Sequence, residues 1–320
     1  MNYTTLGRTG LQVSDICLGT MQFKWTTDEA NSYAVLNAFV EAGGNFIDTA
    51  DVYSRWAPGL QGGEAETLIG EWLKQKRNRQ DIVLATKVRG RMWEGPNGEG
   101  LSRVHILRAV EDSLRRLQTD YIDLYQTHWP DDTTLIEETL RTLDDLVRAG
   151  KVRYIGCSNY NGWQLMEAVL VARYAGLGEY ISIQPHWSLV ERETFERHIY
   201  PVVKKFGLGV IPYSPLGRGF LTGKYRRNEP LPESKRLGSV QKVLTNKNFD
   251  LLDQLEAIGK EREKTPGQIA LAWLLTQECV TAPIIGANTP AQLADSLGAS
   301  GLRLTPDEMK ALNDLSAWAE

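Results

Sequence analysis

The chain is poor in the residues that build metal centres and disulfide frameworks. Its 320 residues include three cysteines and four histidines. Cys17, Cys157 and Cys279 are scattered, odd in number and without metal-ligand spacing, which excludes a disulfide scaffold and a Cys/His zinc site. Cys17 and Cys157 fall in apolar, strand-like runs and read as buried reduced thiols, so a reducing cytoplasm is the expected compartment. There is no basic excess either. Lys and Arg number 36 against 40 Asp and Glu, a net charge of -4, so nothing directs the chain to nucleic acid or an anionic bilayer. The densest basic stretch, Lys74-Gln75-Lys76-Arg77-Asn78-Arg79, ends a predicted helix, where cations suit the dipole. No apolar run approaches the ~20 residues of a membrane span. The first residues, Met1-Asn2-Tyr3-Thr4-Thr5, lack the apolar core of a secretory leader. Finally, no strand–GxGxxG–helix fingerprint occurs. Gly95-Pro96-Asn97-Gly98-Glu99-Gly100 follows no predicted strand and reads as a loop.

What is present is a regular alternation. Residues 3–6 and 11–13 flank Gly7-Arg8-Thr9-Gly10 and predict a small hairpin. Short apolar strands are predicted at 16–18, 45–48, 82–86, 122–126, 152–156, 181–184, 208–212 and 282–285. Helices are predicted between them at 28–42, 63–76, 102–117, 133–149, 162–174 and 193–206, then at 246–263, 266–277, 290–297 and 306–318. A long irregular segment, 214–241, breaks the rhythm. Strand starts lie mostly ~30 residues apart, as parallel βαβ units require. Unbroken apolar strands imply a sheet covered on both faces. Eight units without a linker or composition break favour one closed (β/α)8 barrel over residues 1–320, plugged at the bottom by the hairpin, rather than an open doubly wound sheet.

The barrel rule places activity at the C-terminal ends of the strands, and ionisable groups gather there. Asn45-Phe46-Ile47-Asp48-Thr49-Ala50-Asp51-Val52-Tyr53 starts apolar and ends polar. Ile82-Val83-Leu84-Ala85-Thr86-Lys87 and Ile122-Asp123-Leu124-Tyr125-Gln126-Thr127-His128 have the same form. Taken singly, Asp48 reads as a cap, Tyr53 as a rim aromatic and Lys87 as a solvated cation. On successive strands of one barrel they converge. A lysine cation lowers the pKa of a neighbouring phenol, which is ordinarily ~10, and a carboxylate fixes the lysine. Tyr53 can then give a proton to an oxygen becoming an alkoxide, with His128 orienting that oxygen. No side chain supplies hydride, so a nicotinamide cofactor is implied.

These stretches, with Ala85-Thr86-Lys87 and Gln126-Thr127-His128-Trp129-Pro130, resemble the signatures of the aldo-keto reductase superfamily over nearly the whole chain. The loop Arg55-Trp56-Ala57-Pro58-Gly59-Leu60-Gln61-Gly62-Gly63-Glu64 and Tyr213-Ser214-Pro215-Leu216-Gly217-Arg218-Gly219 look like a bacterial branch. That branch is closer to potassium-channel β subunits than to aldose reductases. The resemblance implies a catalytic tetrad of Asp48, Tyr53, Lys87 and His128. It implies reduction of an aldehyde or ketone to an alcohol, in a reversible reaction with a nicotinamide dinucleotide. It places Gly19, Thr20, Met21 and Asp48 along the cofactor, Ser158, Asn159 and Gln184 on the carboxamide, and Tyr213 on the nicotinamide ring. Ser214, Pro215, Leu216, Gly217, Arg218 and Gly219 would clamp the pyrophosphate with backbone N–H groups and a guanidinium. Lys224 and Arg236 would grip the adenosine phosphates. Gly286, Asn288, Gln292, Asp295 and Ser296 would flank the adenine end, near a helix N-terminus.

Two departures bear on the cofactor. Many relatives carry a basic residue near Asn288 and Glu-Asn in place of Asp295-Ser296. Preference for NADP(H), with NAD(H) as the second candidate, therefore rests on Lys224 and Arg236. Trp25, Trp56, Met92, Trp93 and Trp129 fall in loops after early strands. Of these, Trp25, Trp93 and Trp129 are expected to wall the substrate pocket with Tyr53 and His128, an aromatic lining suited to a small carbonyl compound. The alternative reading, a cofactor-binding regulatory or redox-sensing subunit with little turnover, follows from the likeness to the channel subunits. A monomer is the default expectation.

Overall fold

The computed structural model describes residues 1–232 and 237–318. The chain opens with an antiparallel hairpin, β1 (Tyr3–Thr5) and β2 (Gln12–Ser14). Eight parallel strands follow: β3 (Cys17–Gly19), β4 (Phe46–Asp48), β5 (Val83–Val88), β6 (Ile122–Thr127), β7 (Val152–Ser158), β8 (Ser182–Gln184), β9 (Gly209–Val210) and β10 (Ile284–Ile285). From β3 to β9 each pairs with the next in chain order, and β10 pairs with β3. The ring closes beside β9, where Val210 N donates to Cys279 O, Thr281 N to Val210 O and Ile284 N to Pro212 O. This is the expected (β/α)8 barrel. β9 and β10 are shorter than the sequence predicts because Pro212 and Pro283, which bound them, have no N–H for a ladder.

The helices are α1 (Glu29–Glu41), α2 (Glu64–Lys76), α3 (Arg103–Leu117), α4 (Ile136–Arg148), α5 (Gly162–Ala175), α6 (Tyr200–Phe206), α7 (Leu237–Val240), α8 (Asn246–Arg262), α9 (Pro266–Leu275), α10 (Pro290–Leu297) and α11 (Pro306–Leu315). Side-chain caps set many of the starts. Ser102 accepts from His105 N at α3, and Asn161, Thr265 and Thr305 form reciprocal capping boxes at α5, α9 and α11. α9 and α11 end two and three residues early, at Leu275 and Leu315, and two larger departures are local. α4 starts at Ile136 rather than near 133, because the Asp131 carboxylate takes Thr133 N, Thr133 Oγ1 and Thr134 Oγ1 and holds that segment as a turn. Over 193–206, the first half, Thr194–Ile199, is wound as a π-helix, and only α6 is regular.

The strands sort their side chains by parity. Leu18, Ile47, Leu84 and Ile183 join the large core between sheet and helices. Cys17, Phe46, Val83, Ala85 and Leu124 fill the barrel interior. Leu6 of the hairpin is buried in that interior cluster, so the hairpin does plug the bottom. Gly7, at φ +57, makes the plug fit. A Cβ there would lie 2.4 Å from Ile181 O, on a strand-end backbone that cannot yield. Outside the barrel, α2 and α3 meet at Gly70, where a Cβ would lie 2.1 Å from Arg116 O. The obstacle is again backbone, so overpacking is expected to push the helices apart. Gly70→Ala should lower the unfolding free energy by about 1–3 kcal/mol, read as a shift in the urea midpoint. An unchanged midpoint would show that α2 can slide freely on α3.

Candidate active site

The parity that fills the barrel's lower half with apolar groups carries its upper half to polar ones. Asp48 follows Phe46 on the inward side, Lys87 follows Ala85, and Gln126 and His128 follow Leu124. Lys87 is fully buried and Asp48 nearly so. The Lys87 Nζ donates to Asp48 Oδ2 at 2.5 Å, to Thr49 O at 2.8 Å and to Tyr53 Oη at 2.9 Å. Its three protons are thereby matched to three acceptors. The other carboxylate oxygen, Asp48 Oδ1, accepts from Gln126 Nε2 at 3.0 Å and Gln184 Nε2 at 2.9 Å. Thr20 N and Oγ1 both donate to Asp48 O. His128 closes the group, its ring centroid 5.8 Å from that of Tyr53. The sequence tetrad is one contiguous cluster.

Burial decides the protonation states. Burial raises the Tyr53 phenol, Lys87 lowers it in part, and the outcome is about 12. The sequence reading expected the lysine to win; desolvation wins instead, and the phenol stays protonated. For Lys87 burial acts downward, but Asp48 and then Tyr53 outweigh it and hold the ammonium above its usual range. Burial, helped by the Lys87 charge, drives His128 well below its ordinary value, so its imidazole is neutral. The Nδ1 of His128 is buried and has no hydrogen-bond partner among the described residues. Asp51 is not part of the cleft. It is fully buried near the Glu66–Arg116 pair, and burial followed by the Glu66 charge pushes its carboxyl well up.

Aromatic rings border the cluster. Trp56 packs edge-on against both Trp25 and Tyr53, at 5.6 Å and 6.1 Å, and Trp129 lies 4.5 Å from His128. Trp93 points elsewhere. Its ring lies on α3, 4.8 Å from His105 and under the Arg108 guanidinium. The Gly95–Gly100 stretch folds back as a loop, with Met92 N donating to Gly98 O and His105 Nδ1 against Asn97 O. That fold-back carries Trp93 to the helix.

The remaining candidates form a surface beside the tetrad. Ser158 Oγ donates to Gln184 O. Asn159, at φ +59, donates from Nδ2 to His128 O and accepts from Tyr213 Oη, both at 2.9 Å. His186 stacks on Tyr213 at 5.0 Å and 7°. Burial, then Arg218, pushes His186 down to about 4. Ser214 has φ +53, and Gly217, Arg218 and Gly219 all have positive φ, a turn of the kind that makes anion-binding concavities. A Cβ on Gly219 would touch Lys224 Cε and Nζ, so this lysine stands over the same turn. Pro215 is buried and Leu216 caps the turn. Gly19 and Thr20 are buried at the end of β3, with Met21 beside them half-buried. At the far end Gly286 is exposed, and Asn288 Oδ1 is held by the hydroxyls of Thr26 and Thr27. Gln292 and Asp295 are exposed on α10, while Ser296 is buried. Arg236 lies outside the described residues. An aromatic ring, amide and hydroxyl groups, and a positive turn in this order fit a nicotinamide dinucleotide. Among the described residues no cluster of His, Cys, Asp or Glu could hold a metal, and no helix is long and apolar enough to cross a membrane.

Gln126 is the functional neighbour that sequence reasoning passed over. Its Nε2 holds Asp48, and its Oε1 accepts from Gln184 at 3.3 Å. The signal was its parity with Leu124 and His128, which placed an uncharged amide inside the barrel.

A parallel barrel with a buried lysine–carboxylate–phenol group at its mouth, and amide, hydroxyl and aromatic groups beside it, has the equipment of a carbonyl-reducing oxidoreductase. Comparison with known proteins agrees. The aldo/keto reductase family profile matches residues 15–317, and the chain belongs to that family. It is 40% identical to the uncharacterized oxidoreductase YrpG of Bacillus subtilis (strain 168), over 98% of this chain and 96% of the relative. It is 36% identical to norsolorinic acid reductase A of Aspergillus parasiticus, over 95% of this chain and 78% of the relative. It is 34% identical to a probable voltage-gated potassium channel subunit beta of Oryza sativa subsp. japonica, over 96% and 94% respectively.

Because Asp48 is the carboxylate bound to a fully buried ammonium, Asp48→Leu should cost about 3–5 kcal/mol of stability. Adding Lys87→Met should return a large share of it. Strictly additive losses in denaturant midpoints would mean that the two charges do not depend on each other.

Proposed function

We propose that the chain is an NADP(H)-dependent reductase of an aldehyde or ketone, acting as one domain, with Tyr53 as general acid. The observation that carries the reading is the Lys87 ammonium bound at once to Asp48, Thr49 O and Tyr53 Oη. A nicotinamide supplies the hydride when bound. Tyr53 Oη gives its proton to the carbonyl oxygen as negative charge develops there. Lys87 stabilises the phenolate that remains, at 2.9 Å, and Asp48 keeps the lysine in place. Neutral His128 orients the same oxygen through a ring N–H. Trp25, Trp56 and Trp129 exclude water, and Trp93 contributes only if its loop moves from α3. Ser158, Asn159, Gln184 and Tyr213 hold the nicotinamide half. The Arg218 guanidinium and the Arg218 backbone N–H hold the pyrophosphate, and preference for NADP(H) over NAD(H) rests on Lys224 and Arg236 gripping the adenosine phosphates. In the reverse direction Tyr53, as phenolate, takes the hydroxyl proton of the alcohol, and an oxidised nicotinamide would accept the hydride.

The second reading, a cofactor-binding regulatory subunit, draws on the likeness to channel β-subunit relatives. One experiment separates the two. NADPH and NADH oxidation is followed spectrophotometrically with a panel of aldehydes and ketones, for wild type and Tyr53→Phe. Turnover is expected with NADPH the faster donor, and Tyr53→Phe should lose on the order of 10²–10⁴-fold while still binding NADPH. Binding without wild-type turnover favours the regulatory reading, and full activity in Tyr53→Phe removes Tyr53 as the acid.

The pH dependence has a definite sign. Reduction needs the phenol, and with its pKa at about 12 the group stays protonated from neutrality to about pH 10. The rate of reduction should be flat across that interval. Oxidation needs the phenolate and should climb with pH. A tenfold fall in reduction near neutrality would point to a different acid.

A further inference from the structure

Arg89 is a residue of the barrel mouth that the reduction chemistry leaves unused. It shares the inward parity of Ala85 and Lys87 and follows the ammonium by two residues. Its backbone holds φ +135, a region that residues with a Cβ seldom adopt. The next residue, Gly90, is pressed against the loop that carries Tyr53, where a Cβ would lie 2.6 Å from Val52 Cβ. Strain of this kind persists only where surrounding contacts enforce it, and it gathers at ligand sites.

The guanidinium lies against an aromatic ring of the pocket rim. Its Cζ lies 5.2 Å from the Trp129 ring centroid, and Trp129 in turn lies 4.5 Å from His128. The two contacts in series put the cation about one small molecule's length from the imidazole. Its Nε is buried without a hydrogen-bond partner. Acids of the adjoining loops are already committed. Glu99 pairs with Arg91 at 2.5 Å, and Glu94 lies against Arg55 and Arg91. Asp131 accepts from Leu101 N, Thr133 N, Thr133 Oγ1 and Thr134 Oγ1. No ion pair to Arg89 occurs among the described residues. Glu99 feels the Arg89 charge only after its contact with Arg91, so among the described residues the half-buried guanidinium has no carboxylate in contact, and its planar fork suits carboxylate and phosphate oxygens.

Resting on the reductase reading above, we infer that Arg89 is a specificity-determining residue that recognises an anionic group, carboxylate or phosphate, on the substrate. The carbonyl then sits at Tyr53 and His128, and the anion lies across Trp129, separated by a short chain or a single ring. A substrate with its charge elsewhere gains nothing from this contact.

The test compares matched substrates with NADPH: para-carboxybenzaldehyde against its methyl ester, and glyceraldehyde phosphate against glyceraldehyde. The first pair reads carboxylate and the second phosphate. Wild type is expected to favour the anionic member of at least one pair by roughly 10- to 100-fold in kcat/KM, the range of a charge-assisted contact. Arg89→Gly, which accepts the strained φ without penalty, should bring that ratio close to one. Arg89→Lys should keep part of it, and Arg89→Glu should reverse it. Equal use of both members in both pairs by wild type, or a ratio kept by Arg89→Gly, overturns the inference while leaving the reductase reading intact. No turnover of any member overturns the reductase reading, and this inference with it.

Discussion

A charged ammonium with no exposed surface is the constraint from which the rest of the site follows. Lys87 is buried in the barrel, and a charge taken out of water is tolerated only when paired and fully hydrogen-bonded. That demand fixes Asp48 beside it. The carboxylate has demands of its own, which Gln126 and Gln184 meet from two further strands. Thr49 O and Tyr53 Oη take the remaining lysine protons. The phenol is therefore held in place by the requirement to satisfy a buried cation, before any substrate arrives. Preorganisation of this sort spares reorganisation when charge develops on a substrate oxygen.

The same burial sets the division of labour among titratable groups. Tyr53 and Lys87 are held protonated and His128 neutral, each pushed away from the neutral range in the direction its surroundings dictate. A pair of dissimilar acids does not share one proton here, as carboxylate dyads do. Asn159 adds a mechanical link. It joins the backbone at His128 to the hydroxyl of Tyr213, so a ring placed against Tyr213 and an oxygen placed against His128 are referenced to one amide.

The barrel was legible because its two periodicities differ: unbroken apolar strands of three to five residues alternate with helices on a 3.6 repeat. The tetrad was legible because parity carries Phe46 to Asp48, Ala85 to Lys87 and Leu124 to His128 along the inward face. Other features depended on balances that sequence does not display. The sign of the Tyr53 shift is a contest between burial and a cation, and the contest needs coordinates. The start of α4 was lost to Asp131, whose side chain competes with the helix for nearby N–H groups. Trp93 was assigned to the pocket by its position after β5, but the fold-back of its loop seats it on α3. Gln126 gave no charge signal, although the carboxylate depends on it.

The closing of the ring has a mechanical consequence. β5, β6 and β7 are six or seven residues long, whereas β9 and β10 have two each, with prolines beside them that withhold N–H donors. The backbone ladder is therefore long around Lys87 and Gln126 and narrows to a thin seam where the ring closes. Directly above that seam rise Tyr213 and the Gly217–Gly219 turn. Under the reductase reading proposed above, the short ladder lets the flank below Tyr213 give to an arriving nucleotide, while the long β5–β6 ladder keeps Lys87 in register.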